Sequence, residues 1–338
     1  MEIKAIGIDL AKESFQVYGI DAQNKVVIDK KLNRSNFKVF MSRRPISRIY
    51  MEACSGAHYW ARLFKSYGHE VKLIAPHRVK PFVGHQKNDR NDARGIVEAG
   101  LRPEARFVGA KSLWQQDLQS LHKVRDLKLK HQVALINQIR GLMSEYGVIL
   151  PKTHSKFKTL MVETLEDGEN GLSPLIRDEC GRLFKDYLVV SDRINEVEEK
   201  IKAIAKESEF VKRAEREVKG VGYLVASRFL ASIGDVGAFR NGREVSAWLG
   251  LVPRQHSTGG RTRLGRISKH GDSELRKFIV QGARAATIAA MRKKDFDWDH
   301  EKIHRLSEQK GFNVASVAVA NRNVRRMFAI LNKLSVVQ

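Results

Sequence analysis

Near the start of the chain, Ile3, Ala5, Ile6 and Ile8 follow one another almost without polar interruption and stop at Asp9, within Ile6-Gly-Ile-Asp-Leu-Ala-Lys-Glu-Ser14. Such a run reads as a buried strand, with Asp9 at the point where the strand opens out. A second strand is expected over 15–20, only a few residues later. A lone Asp at a strand end carries little, because most such residues cap a turn or face solvent. Downstream, however, Glu52 closes another strand, and Asp89 and Asp92 open a helix. Four carboxylates from separated segments, gathered at one sheet edge, have the layout of a two-metal phosphodiester site.

The elements between these carboxylates can be read in order. A third strand is expected over 25–28, a short helix over 35–42, and a strand over 46–51 that delivers Glu52. Trp60, Leu63 and Phe64 fall at helical spacing in a helix over 57–67, which Gly68 ends, and a fifth strand covers 70–74. Three neighbouring strands, then helix, strand, helix, strand and helix, give the element order of a ribonuclease-H-like α/β domain over residues 1–108. In that arrangement Asp9 and Glu52 sit at adjacent strand ends, while Asp89 and Asp92, three apart on a helix, point the same way. A plainer reading makes Asp89 and Asp92 an N-cap and an acidic first turn, which the helix dipole favours.

Residues 109–215 read as a helical segment. Leu118, Leu121, Val124, Leu127, Ile136, Ile139, Leu142 and Met143 recur at threes and fours. In a second run Leu183, Val190, Val197 and Ile204 fall seven apart, with Tyr187, Ile194 and Ile201 between them, as in a short coiled coil. Pro151, Pro174 and several glycines mark 151–180 as a linker or flexible hairpin. The two helical runs form either a hairpin within the chain or a dimerisation arm.

Residues 216–338 read as a mainly α domain. Lys219-Gly-Val-Gly222 before a helical stretch has the form of a helix-hairpin-helix turn, in which Lys219, Gly220 and Gly222 can hold a DNA phosphate. A glycine-supported basic loop follows Pro253, carrying Arg254, Arg261, Arg263, Arg266 and Lys269. It suits close approach to a phosphate backbone. It lacks the Lys-Ser/Thr of a nucleotide P-loop, since Arg266 and Ile267 stand there. Its hydroxyls are Ser257, Thr258, Thr262 and Ser268, and most hydroxyls in such loops only hydrogen-bond phosphate.

Charge narrows the function classes. Lys and Arg number 61 against 38 Asp and Glu, a net charge of +23. That excess calls for a polyanionic partner, nucleic acid first, with a membrane surface or a ribosomal-type binder as the plainer alternatives. The two cysteines, Cys54 and Cys180, lie far apart and fit a reducing compartment rather than a disulfide scaffold or zinc ribbon. With no leader pattern at the N-terminus and no bilayer-length apolar run, the expectation is a soluble, cytoplasmic protein without a membrane partner.

With these pieces in place, the sequence resembles the DEDD-type transposases of bacterial insertion sequences, the bridge-RNA-guided recombinases. The residues that carry the resemblance are Gly-Ile-Asp9-Leu-Ala-Lys, Met-Glu52-Ala-Cys-Ser-Gly, Lys-Asn-Asp89-Arg-Asn-Asp92-Ala-Arg, Lys-Gly-Val-Gly222, Trp-Leu-Gly-Leu-Val-Pro253-Arg, Ser257-Thr-Gly-Gly-Arg and Gly265-Arg-Ile-Ser-Lys. The resemblance implies a RuvC-like domain, a coiled-coil segment and a C-terminal transposase domain. It implies an acidic tetrad of Asp9, Glu52, Asp89 and Asp92 holding Mg2+, two ions per site with Mn2+ as a substitute. It further implies a nucleophilic serine that forms a covalent phosphoserine link. Ser257 fits that role, and an ungapped alignment through the preceding Pro-Arg moves it to Thr258. The implied partners are DNA (element ends and target), a noncoding guide RNA, and further copies of the chain as a dimer or tetramer, with the active site combined across protomers. Two other readings remain: a RuvC-like junction-resolving nuclease that activates water, and a nucleic-acid-binding protein without catalysis.

Overall fold

The computed structural model describes residues 3–84, 88–151, 156–292 and 298–336. The chain forms two compact units, residues 1–116 with 213–338 and residues 117–212. The first part of the chain builds a six-stranded sheet from β1 (Ile3–Leu10), β2 (Ser14–Asp21), β3 (Val26–Asn33), β4 (Arg48–Glu52), β5 (Glu70–Ile74) and β6 (Phe107–Val108). Helix α1 (Arg34–Ser42) precedes β4, α2 (Ala57–Ser66) precedes β5, and α3 (Pro76–Val79) and α4 (Asp89–Gly100) follow it. The strand order is β3-β2-β1-β4-β5-β6, with β1, β2 and β3 antiparallel and β4 and β5 parallel to β1. The expected α/β domain is therefore present, with its three-strand meander beside a parallel pair.

The sheet is covered on both faces, which is why β1 and β2 are apolar on both sides. On one face Phe15, Phe37, Trp60 and Phe64 form an aromatic cluster, Phe15 stacking on Phe37 at 4.4 Å and meeting Trp60 edge-on at 5.0 Å. Each such ring pair adds about 0.5–1.5 kcal/mol beyond burial alone. On the other face Ala5, Tyr18, Tyr50 and Ile74 pack against Ala93, Ile96 and Val97 of α4. Two glycines set how closely α4 approaches. A Cβ on Gly7 would collide with the Ala93 carbonyl and the Val97 side chain, and one on Gly100 would collide with the Tyr50 ring.

In the second unit the long helices α5 (Leu113–Ser144) and α7 (Pro174–Glu207) run antiparallel, with α6 (Phe157–Glu166) between them in sequence. Arg125 pairs with Glu198 at 2.6 Å, and seven residues on, Gln132 Nε2 donates to Ser191 Oγ at 2.8 Å. The seven-residue pattern of α7 is thus used inside the chain: Ile194, Val197 and Ile201 are buried, and Ile136, Ile139 and Met143 share a core with Cys180 and Phe184. The stretch expected to be a linker, 151–180, holds α6 and the start of α7, with residues 152–155 outside the described residues. Phe157 and Met161 are buried there, and Pro174 stands in the first turn of α7 behind the Ser173 cap, where proline starts a helix.

The chain then returns to the first unit through α8 (Glu209–Glu217), α9 (Tyr223–Ile233), α10 (Gly242–Trp248), β7 (Pro253–Thr258), β8 (Arg261–Ile267), α11 (Ser273–Arg292), α12 (Trp298–Lys310) and α13 (Phe312–Val336). Gln115 Nε2 donates to the Gly234 carbonyl at 2.7 Å, and Arg106 pairs with Glu244 at 3.4 Å, joining this part to the sheet. The basic stretch after Pro253, expected to be a loop, is a two-stranded hairpin. Gly259 and Gly260 both take positive φ, 54° and 75°, as a two-residue hairpin turn requires, and β7 is exposed along its whole length. Among the described residues no helix is long and apolar enough to cross a membrane.

Gly7→Ala is expected to destabilise the protein by about 1–3 kcal/mol through overpacking against α4. Gly141→Ala, in α5 where a Cβ meets nothing within 4 Å, is expected to stabilise by about 0.5–1 kcal/mol. Denaturant unfolding of the two variants checks both signs.

Candidate active site

Strand register brings the first two carboxylates together. β1 and β4 are paired in parallel through Ile8 and Met51, so the next rung sets Asp9 level with Glu52 on the same face. That face is the one α4 covers, because Gly7 and Tyr50, two residues back, touch α4 at Ala93, Val97 and Gly100. Asp89 lies one turn before Ala93 on the stripe that includes Val97 and Gly100, and Asp92 directly precedes Ala93 in the same first turn. The helix therefore carries Asp92 toward the strand ends, where its charge acts on Glu52. The plainer reading of this stretch is also met: the Asn88 side chain caps α4 by accepting from Asn91 N at 2.8 Å, and Asp89 and Asp92 stand in the acidic first turn that the helix dipole favours.

The charges of this edge act on one another. Burial pushes the Glu52 carboxyl above its usual range, and the charge of Asp92 adds to the shift. The Cys54 thiol is pushed up by burial and then by Glu52 and Asp9. Asp9, Glu52 and Asp92 thus belong to one electronegative neighbourhood at the end of β1 and β4. Asp89 is turned the other way and pairs with Lys31 Nζ of β3 at 2.7 Å. Among the described residues no three His, Cys, Asp or Glu side chains come together as a ready-made cation site. The donors are nevertheless all carboxylate oxygens, as a hard divalent cation requires, and the Glu52–Asp92 repulsion is what such a cation relieves. The Lys31–Asp89 pair is exposed, and pairs of that kind contribute only about 0–1 kcal/mol, so it opposes a competing cation weakly.

The first turn of α4 is held by residues that sequence reasoning missed. Arg90 Nε donates to Asp29 Oδ2 of β3 at 2.5 Å, and Asp29 Oδ1 accepts from Gln16 Nε2 at 2.7 Å. Gln16 stands opposite Asp9 in the β1–β2 register. These partners lie far apart in sequence and carry no local signal that could have joined them.

The hydroxyls of the basic segment lie on the hairpin. Ser257 pairs with Thr262 across the strands and Thr258 with Arg261. Alternation places Ser257 on one face, with Gln255 and Thr262. Thr258 lies on the other, with His256, Arg261 and Arg263. Gln255 Nε2 donates to Ser257 Oγ at 2.8 Å. Ser268 is buried at the hairpin base, where its amide donates to the Val252 carbonyl at 2.8 Å and Arg254 donates to its carbonyl at 3.3 Å. The base is clamped: a Cβ on Gly250 would meet the His270 backbone, and one on Gly271 the Trp248 carbonyl. Lys269 takes a positive φ of 58° in that turn, and Arg266 lies on β8.

In the Lys219-Gly-Val-Gly222 turn the two glycines differ. Gly220, with φ 79°, is pressed against the Gly282 carbonyl of α11, whereas nothing lies within 4 Å of a Cβ on Gly222. The Lys219 carbonyl accepts from Asn323 Nδ2 at 2.9 Å. Gly222 is the N-cap of α9 and has no side chain to satisfy the helix's first amides.

Comparison with known proteins adds to this geometry. Residues 6–148 match the DEDD transposase family of IS110, and residues 214–297 match the transposase IS116/IS110/IS902 family. A probable family 20 transposase of Pseudomonas aeruginosa is 41% identical over 336 residues, 98% of this chain and 98% of that protein. The transposase for insertion sequence element IS1111A of Coxiella burnetii is 39% identical over 98% of this chain and 90% of its own length. The transposase for insertion sequence element IS1328 of Yersinia enterocolitica is 34% identical over 96% of this chain and 95% of its own length.

Because the folded state raises the Glu52 pKa, Glu52 supports folding fully only below the ordinary carboxylate range. That support is lost as pH rises through the folded value. At pH 7.5 without divalent cations, Glu52→Gln is expected to raise Tm by roughly 1–3 °C, with the gain vanishing below pH 4. Thermal melts across pH check the sign.

Proposed function

We propose that this chain, which belongs to the IS116/IS110/IS902 family of insertion-sequence transposases, cuts and rejoins DNA by combining its carboxylate edge with a hydroxyl on the β7–β8 hairpin. The observation that carries this reading is the shared negative field of Asp9, Glu52 and Asp92 at the adjoining ends of β1 and β4. The Glu52 charge does not help the fold, since burial and the Asp92 charge both oppose it. Asp9, Glu52, Asp89 and Asp92 would hold Mg2+, two ions per site with Mn2+ as a substitute. A divalent cation held there would supply charge withdrawal from a phosphodiester and make a nearby hydroxyl easier to deprotonate.

The chain's own residues do the rest. Ser257 Oγ is exposed and held by Gln255, so its proton can be given up while the oxygen stays aimed. Its oxygen bonds to phosphorus, the bond from phosphorus to the departing strand oxygen breaks, and the serine proton ends on that oxygen. One ester replaces another, so the strand can be rejoined without outside energy. Arg254, Arg261, Arg263 and Lys269 neutralise the charge that grows on the phosphate oxygens. Thr258 lies between Arg261 and His256 on the opposite face and is the alternative nucleophile.

The first turn of α9, left open at Gly222, holds a backbone phosphate in the manner of a helix-hairpin-helix, with Lys219 beside it. Arg266 adds to the hairpin's grip. Target choice rests with a noncoding guide RNA, and the +23 charge serves both nucleic acids. Val124, Leu127 and Val189 stay exposed on the helical hairpin, which supports its use as a coiled-coil contact between copies, dimer or tetramer. The setting is the cytoplasm. One observation favours a second reading: the Arg254 and Gln255 side chains hydrogen-bond within the hairpin and its base. That is what a junction-resolving nuclease would also show if the carboxylates activated water and the hairpin only gripped DNA.

The test is a denaturing gel of labelled junction DNA incubated with protein, element-end RNA and Mg2+. A protein–DNA adduct lost by a hundredfold or more in Ser257→Ala and in Asp9→Asn, and kept in Thr258→Ala, is expected. Loss only in Thr258→Ala moves the nucleophile one residue, and cleavage without any adduct supports the nuclease.

A further inference from the structure

A charged recess of the C-terminal part is lined by none of the residues assigned above. A cleft of about 830 Å3 opens between the start of α10 and the second half of α13. Arg240, Arg243, Arg322, Arg325, Arg326 and Lys333 line it, and among the described residues no acidic side chain does. Gly242 sets its floor: a Cβ there would press on the α13 backbone at Arg325, so the start of α10 lies directly on α13.

The six cations are not equivalent. Asp299, largely buried, pairs with Arg326 at 2.6 Å and Arg322 at 3.4 Å, which fixes both guanidinium groups. Nε and Nη2 of Arg322 are nevertheless buried with no hydrogen-bond partner among the described residues. Arg240, Arg243, Arg325 and Lys333 form no ion pair among the described residues. The nearby Glu244 does not offset them, because its carboxylate accepts from the Arg240 amide and pairs with Arg106. Like charges held this close repel one another.

We infer that this cleft grips the sugar–phosphate backbone of duplex DNA, as a second contact separate from the hairpin and the α9 turn. From Arg322 to Lys333 helix α13 advances about 16 Å, equivalent to roughly five base pairs of rise, so its cations can follow a strand. Duplex fits better than single strand. Phe328, the aromatic residue of the lining, is buried and offers no stacking platform. The contact positions DNA without reading bases, since the lining is dominated by guanidinium and ammonium groups. The inference rests on DNA being the substrate and is independent of the strand chemistry.

The experiment measures duplex DNA affinity of the full-length protein against salt, in EDTA, so that the outcome of the strand-cleavage reading does not enter. The triple variant Arg243→Gln, Arg325→Gln, Lys333→Gln is expected to lower the slope of log K against log salt by about 2–3, near 0.9 for each phosphate no longer neutralised. Affinity at moderate salt should fall about tenfold or more. Arg243→Lys with Arg325→Lys, which keeps the charge, should keep the wild-type slope. So should Lys123→Gln, Lys200→Gln, Lys206→Gln, which removes equal charge from the other unit. Unchanged circular dichroism confines the effect to binding. A slope in the triple variant equal to that of wild type, or a slope decrease matched by the control triple, overturns the inference. So does a weakening seen with duplex RNA and absent with duplex DNA.

Discussion

The contact on which the rest depends is the close packing of α4 on the sheet. Gly7 and Gly100 remove the two side-chain stubs that would hold the helix away, and Ala93 and Val97 fill the space. Interiors packed this tightly deform little, so the helix has little room to shift against the sheet. The first turn of α4 then overhangs the ends of β1 and β4, where Asp9 and Glu52 stand. Arg90, reaching Asp29 on β3, ties that turn down from the far side. The carboxylates are close because backbone packing elsewhere makes them so.

That arrangement is electrostatically unfavourable by itself. Glu52 is half-buried, repelled by Asp92, and forms no ion pair among the described residues, while Asp89 is drawn off to the exposed Lys31. A group kept at a cost to folding marks a place where function sets the residue. The C-terminal part repeats the pattern with the opposite sign. Its hairpin and its α10–α13 cleft gather cations with few acids among them. On the proposed reading one region would hold cations and the other phosphates, as phosphodiester transfer requires.

Much of this is legible in the sequence because it is periodic. The strand–helix order of the first hundred residues, the positions of Asp9, Glu52, Asp89 and Asp92, and the two long helices follow from runs and spacings. The basic hairpin looks like a loop in sequence because its strands are exposed on both faces, leaving no apolar alternation to see. The Gly259–Gly260 turn between Thr- and Arg-rich flanks is the available sign. Helix α6 is hidden between proline and glycine signals, although Phe157, Met161 and Leu165 have helical spacing. The Lys31–Asp89 and Arg90–Asp29 pairs, and the α10–α13 cleft, are illegible for another reason. Each joins residues that only the fold brings together, and single basic residues on helices otherwise read as solvated surface.

The central claim is that the β1–β4 edge holds divalent cations. A crystal soaked in Mn2+ at pH 7.5, with anomalous scattering recorded, tests it most directly. The expected result is density about 2 Å from carboxylate oxygens of Asp9, Glu52 and Asp92, with Asp89 released from Lys31. Saturating Mn2+ that leaves this edge empty, with the Lys31–Asp89 pair intact, would contradict it.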